Sequence, residues 1–410
     1  MATLYPFRAL RPTPDIAARV AAVPYDVVTT DEARALAADN PLSFLRVSRA
    51  ELELPPDADP YSDAVYRRAA QNFAALRDRS LVVEDEPSVY FHRLRMGAHV
   101  QTGLAGCFSI DEYHADVIRK HERTRRDKED DRTRHMLALG AQTGPVFLTY
   151  RADRDVTRIA EQAAAARPLI DFSAPDRVQH TIWRVGGRAR DALVAALAGI
   201  PALYIADGHH RAASAARARS DMRDRRARGT SLGDGADAST MLAVAFPHDQ
   251  VQILPYNRTV KDLGGLSAAD FLNAVRGQFE MEAGAGTPSH RGDIAMYFQR
   301  GWHTLRPRAA PNAADPIASL DVSVLQEVLL APILNIADVR TDKRIDFVGG
   351  ARGTKALEQA VDSGKAAVAF SLYPVSVADL MAVSDVGAIM PPKSTWFEPK
   401  LRDGLLIHVI

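Results

Sequence analysis

The apolar and polar positions switch repeatedly between a period of two and a period near 3.6, so the chain reads as alternating strands and helices. Residues 88–95 and 99–110 are extended apolar runs joined by Met96-Gly97-Ala98, which predicts a hairpin. Gly103 inside the second run signals a bulge or a close backbone approach. Val65, Ala69, Phe73 and Leu76 recur at helical spacing and predict a helix over 57–80. Nearer the start, residues 6–10, 21–28 and 44–47 read as extended pieces. Thr30 or Asp31 caps a helix that Asn40-Pro41 ends. After the Thr143-Gly144-Pro145 turn come a strand (146–150), an Ala-rich helix (154–166), one long strand (172–185) and a helix (188–198). Residues 241–246 form a buried strand. Beyond 265 the alternation continues. Ser267 caps a helix to Phe279, a hairpin joins 294–298 to 302–305, and an amphipathic helix spans 321–330. A strand (345–348) then meets Gly349-Gly350-Ala351-Arg352-Gly353. A helix (354–361), a strand (366–372), a short helix (377–383) and a terminal strand (405–410) complete the pattern. The class predicted is α/β, with α+β mixed sheets.

A chain of 410 residues exceeds one typical core. Three regions are expected: an N-terminal α/β region at 1–110, a core at 111–260 and a C-terminal α/β region at 261–410. The formal net charge is zero, which argues against a broad nucleic-acid grip. The single Cys107 excludes an internal disulfide and a cysteine-based zinc site, and suits a reducing compartment. No apolar run reaches membrane-spanning length and Met-Ala-Thr-Leu-Tyr-Pro-Phe-Arg has no signal core, so a cytoplasmic protein with no membrane partner is expected. Residues 229–239 are rich in Gly, Ser and Asp and read as a mobile surface loop, a candidate lid.

The chemistry concentrates at Leu203 to Arg211. A strand over 200–205 runs into Asp207-Gly208, a turn dipeptide, and then into a helix whose first eleven residues carry five alanines. The N-terminus of such a helix offers unpaired N–H groups and the positive end of its dipole, which suits a phosphate. Asp207, His209, His210 and Arg211 add a metal or proton acceptor, two imidazoles and an anion clamp. The alternative is that Asp207 caps the helix and the histidines lie on its solvated face.

A second charged knot spans 118–132. Its later part, including Glu129, Asp130, Asp131 and Arg132, reads as a solvated face of a helix running to Leu139, with Met136 and Leu139 inward. His121-Glu122 precedes that helix, where a loop can hold it in a cleft. Arg125 occupies the second histidine position of a His-Glu-x-x-His zinc motif, so that motif fails. His180 on its strand is either a substrate contact or a satisfied structural histidine. Arg258 reads as a surface arginine, with an anion contact as the alternative. Tyr25-Asp26 is a site element or a buried tyrosine beside a capping acid. Gly387 to Ser394 imitates a Walker loop, but Pro392 stands where the second glycine is needed and has no N–H for a phosphate. Gly349-Gly350 and Gly353 lack dinucleotide-motif spacing. Lys393, Ser394 and Thr395, on a loop stiffened by two prolines, remain candidates for an anionic group.

Five segments together resemble a bacterial and archaeal family, the domain of unknown function "ten-fifteen". They are Pro24-Tyr25-Asp26-Val27, the His121-Glu122 knot with Lys128-Glu129 and Arg132, Thr143-Gly144-Pro145, Ala206 to Arg211, and Met390 to Lys400. The order His-Glu then Asp-Gly-His-His-Arg also resembles the free-serine kinases of the ParB/sulfiredoxin superfold. That resemblance implies a ParB/sulfiredoxin-like core and phosphoryl transfer from ATP or ADP, with Mg²⁺, to a small hydroxylated metabolite such as L-serine. It implies Glu122 as general base and Asp207 and His210 as further catalytic groups, Asp207 also holding the metal. Gly208, His209, Arg211, Lys393, Ser394 and Thr395 would bind nucleotide or phosphate, and His121, Arg123 and His180 substrate. Partners are then a nucleotide and a small molecule, with self-association into a homo-oligomer left open. The rival readings are a non-enzymatic ParB-like nucleotide-binding regulator and a metal-dependent hydrolase using His121, Asp207, His209 and His210.

Overall fold

The structure is a computed structural model that describes residues 1–227 and 238–410. Most of the expected 229–239 loop lies outside the described residues. The fold is mixed α/β, as the alternation of periods predicts, and divides into two compact units. One comprises residues 1–251 together with 399–410, and the other residues 252–398.

Among the described residues, the first unit holds a nine-stranded mixed sheet. Its strands are β1 (Leu4–Tyr5), β2 (Val89–Met96), β3 (His99–Ser109), β4 (Ile118–Arg119), β5 (Val146–Tyr150), β6 (Ile170–Ser173), β7 (Gln179–Val185), β8 (Leu203–Asp207) and β9 (Thr240–Pro247). Their order is β4-β8-β5-β9-β3-β2-β7-β6, with β1 paired to the far end of β3. The β2–β3 hairpin forms as predicted, with Gly97 in the left-handed region at φ 60°. Gly103 is a close approach rather than a bulge: a β-carbon there would lie 2.6 Å from Val244 Cγ1. The helices are α1 (Asp63–Ser80), α2 (Arg126–Leu139), α3 (Arg154–Ala164), α4 (Gly187–Ala198) and α5 (His209–Ala227). Leu104, Phe108, Leu148, Ile205, Ala243 and Ala245 of the sheet bury against Leu193 and Leu197 of α4 and Ala212 and Ala215 of α5. The small alanines let α5 lie close to the strands.

The second unit is built on a six-stranded antiparallel sheet. Its strands are β10 (Tyr256–Val260), β11 (Phe279–Ala283), β12 (Ile294–Phe298), β13 (Gly301–Pro307), β14 (Ile345–Gly349) and β15 (Val368–Leu372), in the order β11-β13-β12-β15-β10-β14. Ser267 caps its first helix through the Asp270 N–H, as predicted.

Several expectations are corrected. Residues 45–48 are a helical turn, not a strand. Phe44, Leu45 and Val47 are all buried, and a short apolar run carries no period that separates the two states. The 172–185 run is two strands, β6 and β7, because Arg177 adopts φ 66° and Ala174 closes a turn onto Val178. The 321–330 segment is α-helical only to Leu325 and continues as a π-turn. The boundary expected at 110 does not separate two units: β2 and β3 pair with β7 and β9, so residues on both sides share one core. Residues 399–410 rejoin the first unit through Asp403–Ala22 and Ile407–Leu10 backbone bonds, and only His408–Val409 of the terminal run is a strand. Arg258 is buried, not a surface residue; it bonds the carbonyls of Tyr256 and Lys393 within the second unit.

Helix α2 departs most from its sequence pattern. Asp131, Thr133 and His135 are buried, so the charged run is only in part a solvated face. Tyr66 Oη donates to Asp131 Oδ1 at 2.8 Å, Arg132 Nε donates to Asp131 Oδ2 at 2.8 Å, and His135 Nε2 lies 2.9 Å from the Val47 carbonyl. The Arg132 guanidinium also stacks over Tyr25 at 4.1 Å. Burial of these charges is tolerated because each has a partner.

Candidate functional site

The site begins with strand pairing. β8 lies parallel to β4, with Leu203 opposite Ile118 and Tyr204 opposite Arg119. Both chains therefore leave the sheet at the same end. β4 runs into the loop holding His121, Glu122, Arg123 and Arg125, and β8 runs through Asp207 and Gly208 into α5. A register shift against β5 between Ile205 and Asp207 turns the end of β8. Gly208 takes φ 90°, and a β-carbon on it would sit 2.9 Å from Arg211 Nε. Glycine is required there for both reasons.

The histidines at the start of α5 hold the loop. The His121 N–H donates to His209 Nε2 at a long 3.5 Å, and the Arg125 N–H donates to His210 Nε2 at 3.0 Å. The His121 and His209 rings meet edge to face with centroids 4.4 Å apart. Glu122 Oε2 lies 3.8 Å from His209 Nδ1, with the Glu122 side chain 47% exposed. Burial pushes the His121 imidazole down to about 4 and lowers His209 and His210 as well, so all three are neutral at pH 7.

Asp207 faces two cations. Lys400 Nζ and Arg211 Nη2 each lie 3.4 Å from its Oδ2. Burial pushes the carboxyl up, but Lys400 and then Arg211 outweigh it and hold the group well below the usual carboxylate range. Arg211 also donates to the Pro145 carbonyl, while its buried Nε has no partner. Arg211 also lines a cavity of about 40 Å³ of mixed polar and apolar wall, with Tyr25, Ser48, Arg132, Thr143 and Asp403 among its polar residues. That is room for roughly three water molecules. Burial raises the Asp403 carboxyl to about 7 against the opposing pull of Arg211.

The structure thus brings together Glu122, His121, Asp207, Gly208, His209, His210 and Arg211, with Arg123 exposed on the same loop. It does not bring His180 there. That residue is fully buried on β7, stacked on Phe172, with its Nδ1 3.2 Å from His92 Nε2 and its Nε2 accepting from Arg402 Nε. Lys393, Ser394 and Thr395 belong to the second unit, where the Lys393 carbonyl accepts from Arg258 and Ser394 Oγ donates to the Pro391 carbonyl at 2.5 Å. The ion-pair partners of Asp207 among the described residues are the cations Arg211 and Lys400. Sequence reasoning missed Lys400, Asp403 and the buried Arg132. The signal was present, since Tyr25, Arg132, Thr143-Gly144-Pro145 and Lys400 lie in the segments that carry the family resemblance.

The family model described as "Protein of unknown function (DUF1015)" matches residues 4–323. No protein of curated function matches the sequence. Among solved structures, a conserved hypothetical protein from Pyrococcus furiosus is 12% identical, with a TM-score of 0.37 over 74% of this chain and 95% of that chain. SbnI with a C-terminal truncation, from Staphylococcus aureus, is 13% identical, with a TM-score of 0.39 over 74% of this chain and 87% of that one. A free serine kinase in complex with AMP is 12% identical, with a TM-score of 0.36 over 73% of this chain and 91% of that one.

Proposed function

We propose, from the premise that this chain belongs to the DUF1015 family, that it transfers a phosphoryl group from a nucleotide to the hydroxyl of a small metabolite, with free L-serine as the first acceptor to test. One observation carries the reading. The His-Glu and Asp-Gly-His-His-Arg motifs, far apart in sequence, meet at the N-terminus of a long helix, with Glu122 Oε2 3.8 Å from His209 Nδ1. The order of these motifs resembles that of free-serine kinases.

Phosphoryl transfer asks for positioning and charge neutralisation more than covalent chemistry. Glu122, only partly buried, accepts the acceptor's hydroxyl proton. The resulting oxygen attacks the terminal phosphorus of ATP or ADP, and the bond to the leaving nucleotide oxygen breaks. The N–H groups at the start of α5 and the unpartnered Arg211 Nε hold the transferring oxygens. Asp207 orients Arg211 and Lys400 rather than reacting. Its single carboxylate facing two cations does not fit a magnesium ion, so no step runs through a metal at Asp207; Mg²⁺ arrives as the counter-ion of the nucleotide.

Phosphorus NMR of the full chain with Mg²⁺, L-serine and either ATP or ADP tests this reading. Phosphoserine is expected with the wild type and not with Glu122→Gln, which retains nucleotide binding. Binding of nucleotide with no turnover of either nucleotide would overturn the enzyme reading in favour of a nucleotide-binding regulator.

A further inference from the structure

We propose that His121, Glu122 and His209 form a binding site for a borderline divalent transition metal of the Zn²⁺ type. The three residues offer ligand atoms that all lie within 4.8 Å of one another. Two imidazoles and one carboxylate suit zinc, cobalt or manganese better than magnesium, which prefers oxygen ligands and keeps its water.

The second observation is the state of His121. Its side chain is 98% buried by the 2% exposure of the residue, and its Nδ1 has no hydrogen-bond partner. The Ile205 carbonyl interacts with the same imidazole. Of the two ring nitrogens, Nδ1 is the buried one left without a partner and so available to a cation. A ring nitrogen donating to a backbone carbonyl while the other nitrogen is left for a cation is the usual arrangement of a metal-bound histidine.

Zinc bonds of about 2.0–2.2 Å bring tetrahedral ligand atoms to roughly 3.4 Å from one another, so separations of up to 4.8 Å must contract by up to about 1.4 Å. Glu122 can move, because its side chain is 47% exposed. His209 Nδ1 already lies 3.8 Å from the Glu122 oxygen. For Nδ1 to ligate, its proton passes to Nε2, and the His121 N–H contact to Nε2 is given up. At 3.5 Å that contact is the longest of the loop's bonds to α5 and the least costly to lose. The loop after β4 supplies two ligands and the start of α5 the third, and three protein ligands leave a coordination position open to water or substrate.

The site stands independently of phosphoryl transfer. If both hold, a cation here engages the carboxylate that serves as general base, and Zn²⁺ suppresses turnover.

The test uses the full chain, stripped with a chelator, desalted and free of nucleotide. Zn²⁺ is titrated by calorimetry in excess Mg²⁺, and Co²⁺ by its visible absorption. One saturable equivalent is expected, with Glu122→Gln and His121→Gln each weakening it at least tenfold and the exposed His114→Ala leaving it unchanged. Circular dichroism checks folding, and the partly exposed Glu122 keeps the test valid if the buried His121 variant does not fold. No saturable equivalent, or equal affinity in wild type and Glu122→Gln, would overturn the site. Because the readout is metal binding alone, its failure leaves the phosphotransfer reading standing, and absence of phosphoserine leaves the metal site standing.

Discussion

Lys400 Nζ lies 3.4 Å from Asp207 Oδ2 across 193 residues of chain, so the C-terminal segment of the first unit completes the charge balance at the end of β8. Replacing Lys400 by Met leaves Arg211 in place at that carboxylate. Breaking a fully buried pair costs about 3–5 kcal/mol; here Arg211 stays, so about 1–2 kcal/mol is expected. Asp207 is held below its unfolded range, so its contribution is present above the unfolded pKa of about 4 and disappears as pH falls through the folded value. Urea unfolding of wild type and Lys400→Met should therefore differ at pH 7 and converge in strong acid. A gap that persists undiminished in strong acid, below the folded value of Asp207, would mean that Lys400 acts through packing and not through Asp207.

Asp403 carries the opposite sign. Its folded carboxyl titrates near 7, well above an unfolded value near 4, so the native state holds the proton more tightly. Below pH 4 both states are protonated and nothing is lost. As pH rises from 4 to 7 the unfolded carboxyl ionises while the buried one keeps its proton, and stability falls by at most about 4 kcal/mol. Asp403→Asn keeps the shape and removes the titration. Its melting temperature should match wild type near pH 4 and exceed it at pH 8. A variant less stable than wild type at pH 8 would show that the ionised carboxylate is a stabilising partner of Arg211 or Arg132.

Much of this site is legible in the chain because local chemistry marks it. Asp207-Gly208 announces a turn, the alanines a helix, and Gly103 a bulge or a close backbone approach, of which the structure shows the close approach. The pairing of β4 with β8 is what joins His121 to His209, and a two-residue strand leaves no periodic trace. Lys400 is recruited by chain return, which no local pattern records. The α2 run misleads for a different reason: Asp131 and Arg132 neutralise each other and bond Tyr66 and Ser48, so charged residues occupy a buried face that hydrophobic period assigns to solvent.

That buried network makes its own prediction. Tyr66→Phe deletes the hydroxyl that donates to Asp131 at 2.8 Å and leaves the acceptor buried with one donor fewer. A hydrogen bond to a charged group contributes about 1.5–3 kcal/mol, so a loss in that range is expected in the denaturation midpoint of the first unit. On a solvated face the same change would be within about 0.5 kcal/mol of neutral, and that outcome would restore the sequence-based reading of α2.

Gly208→Ala tests the turn that aims the site. Two costs act together: a φ of 90° that an L-residue resists, and a β-carbon 2.9 Å from Arg211 Nε. The backbone cost alone is about 1–2 kcal/mol. The contact with the guanidinium adds to it, because Arg211 is held by Pro145 and Asp207 and cannot move away without losing them. The two costs separate in a double-mutant cycle with Arg211→Ala. In that background the contact vanishes while the backbone cost persists, so Gly208→Ala should be less damaging by about 1 kcal/mol than in wild type. Strict additivity of the two substitutions in chemical denaturation would show that the turn, and not the packing of Arg211 beneath it, is the whole reason for glycine.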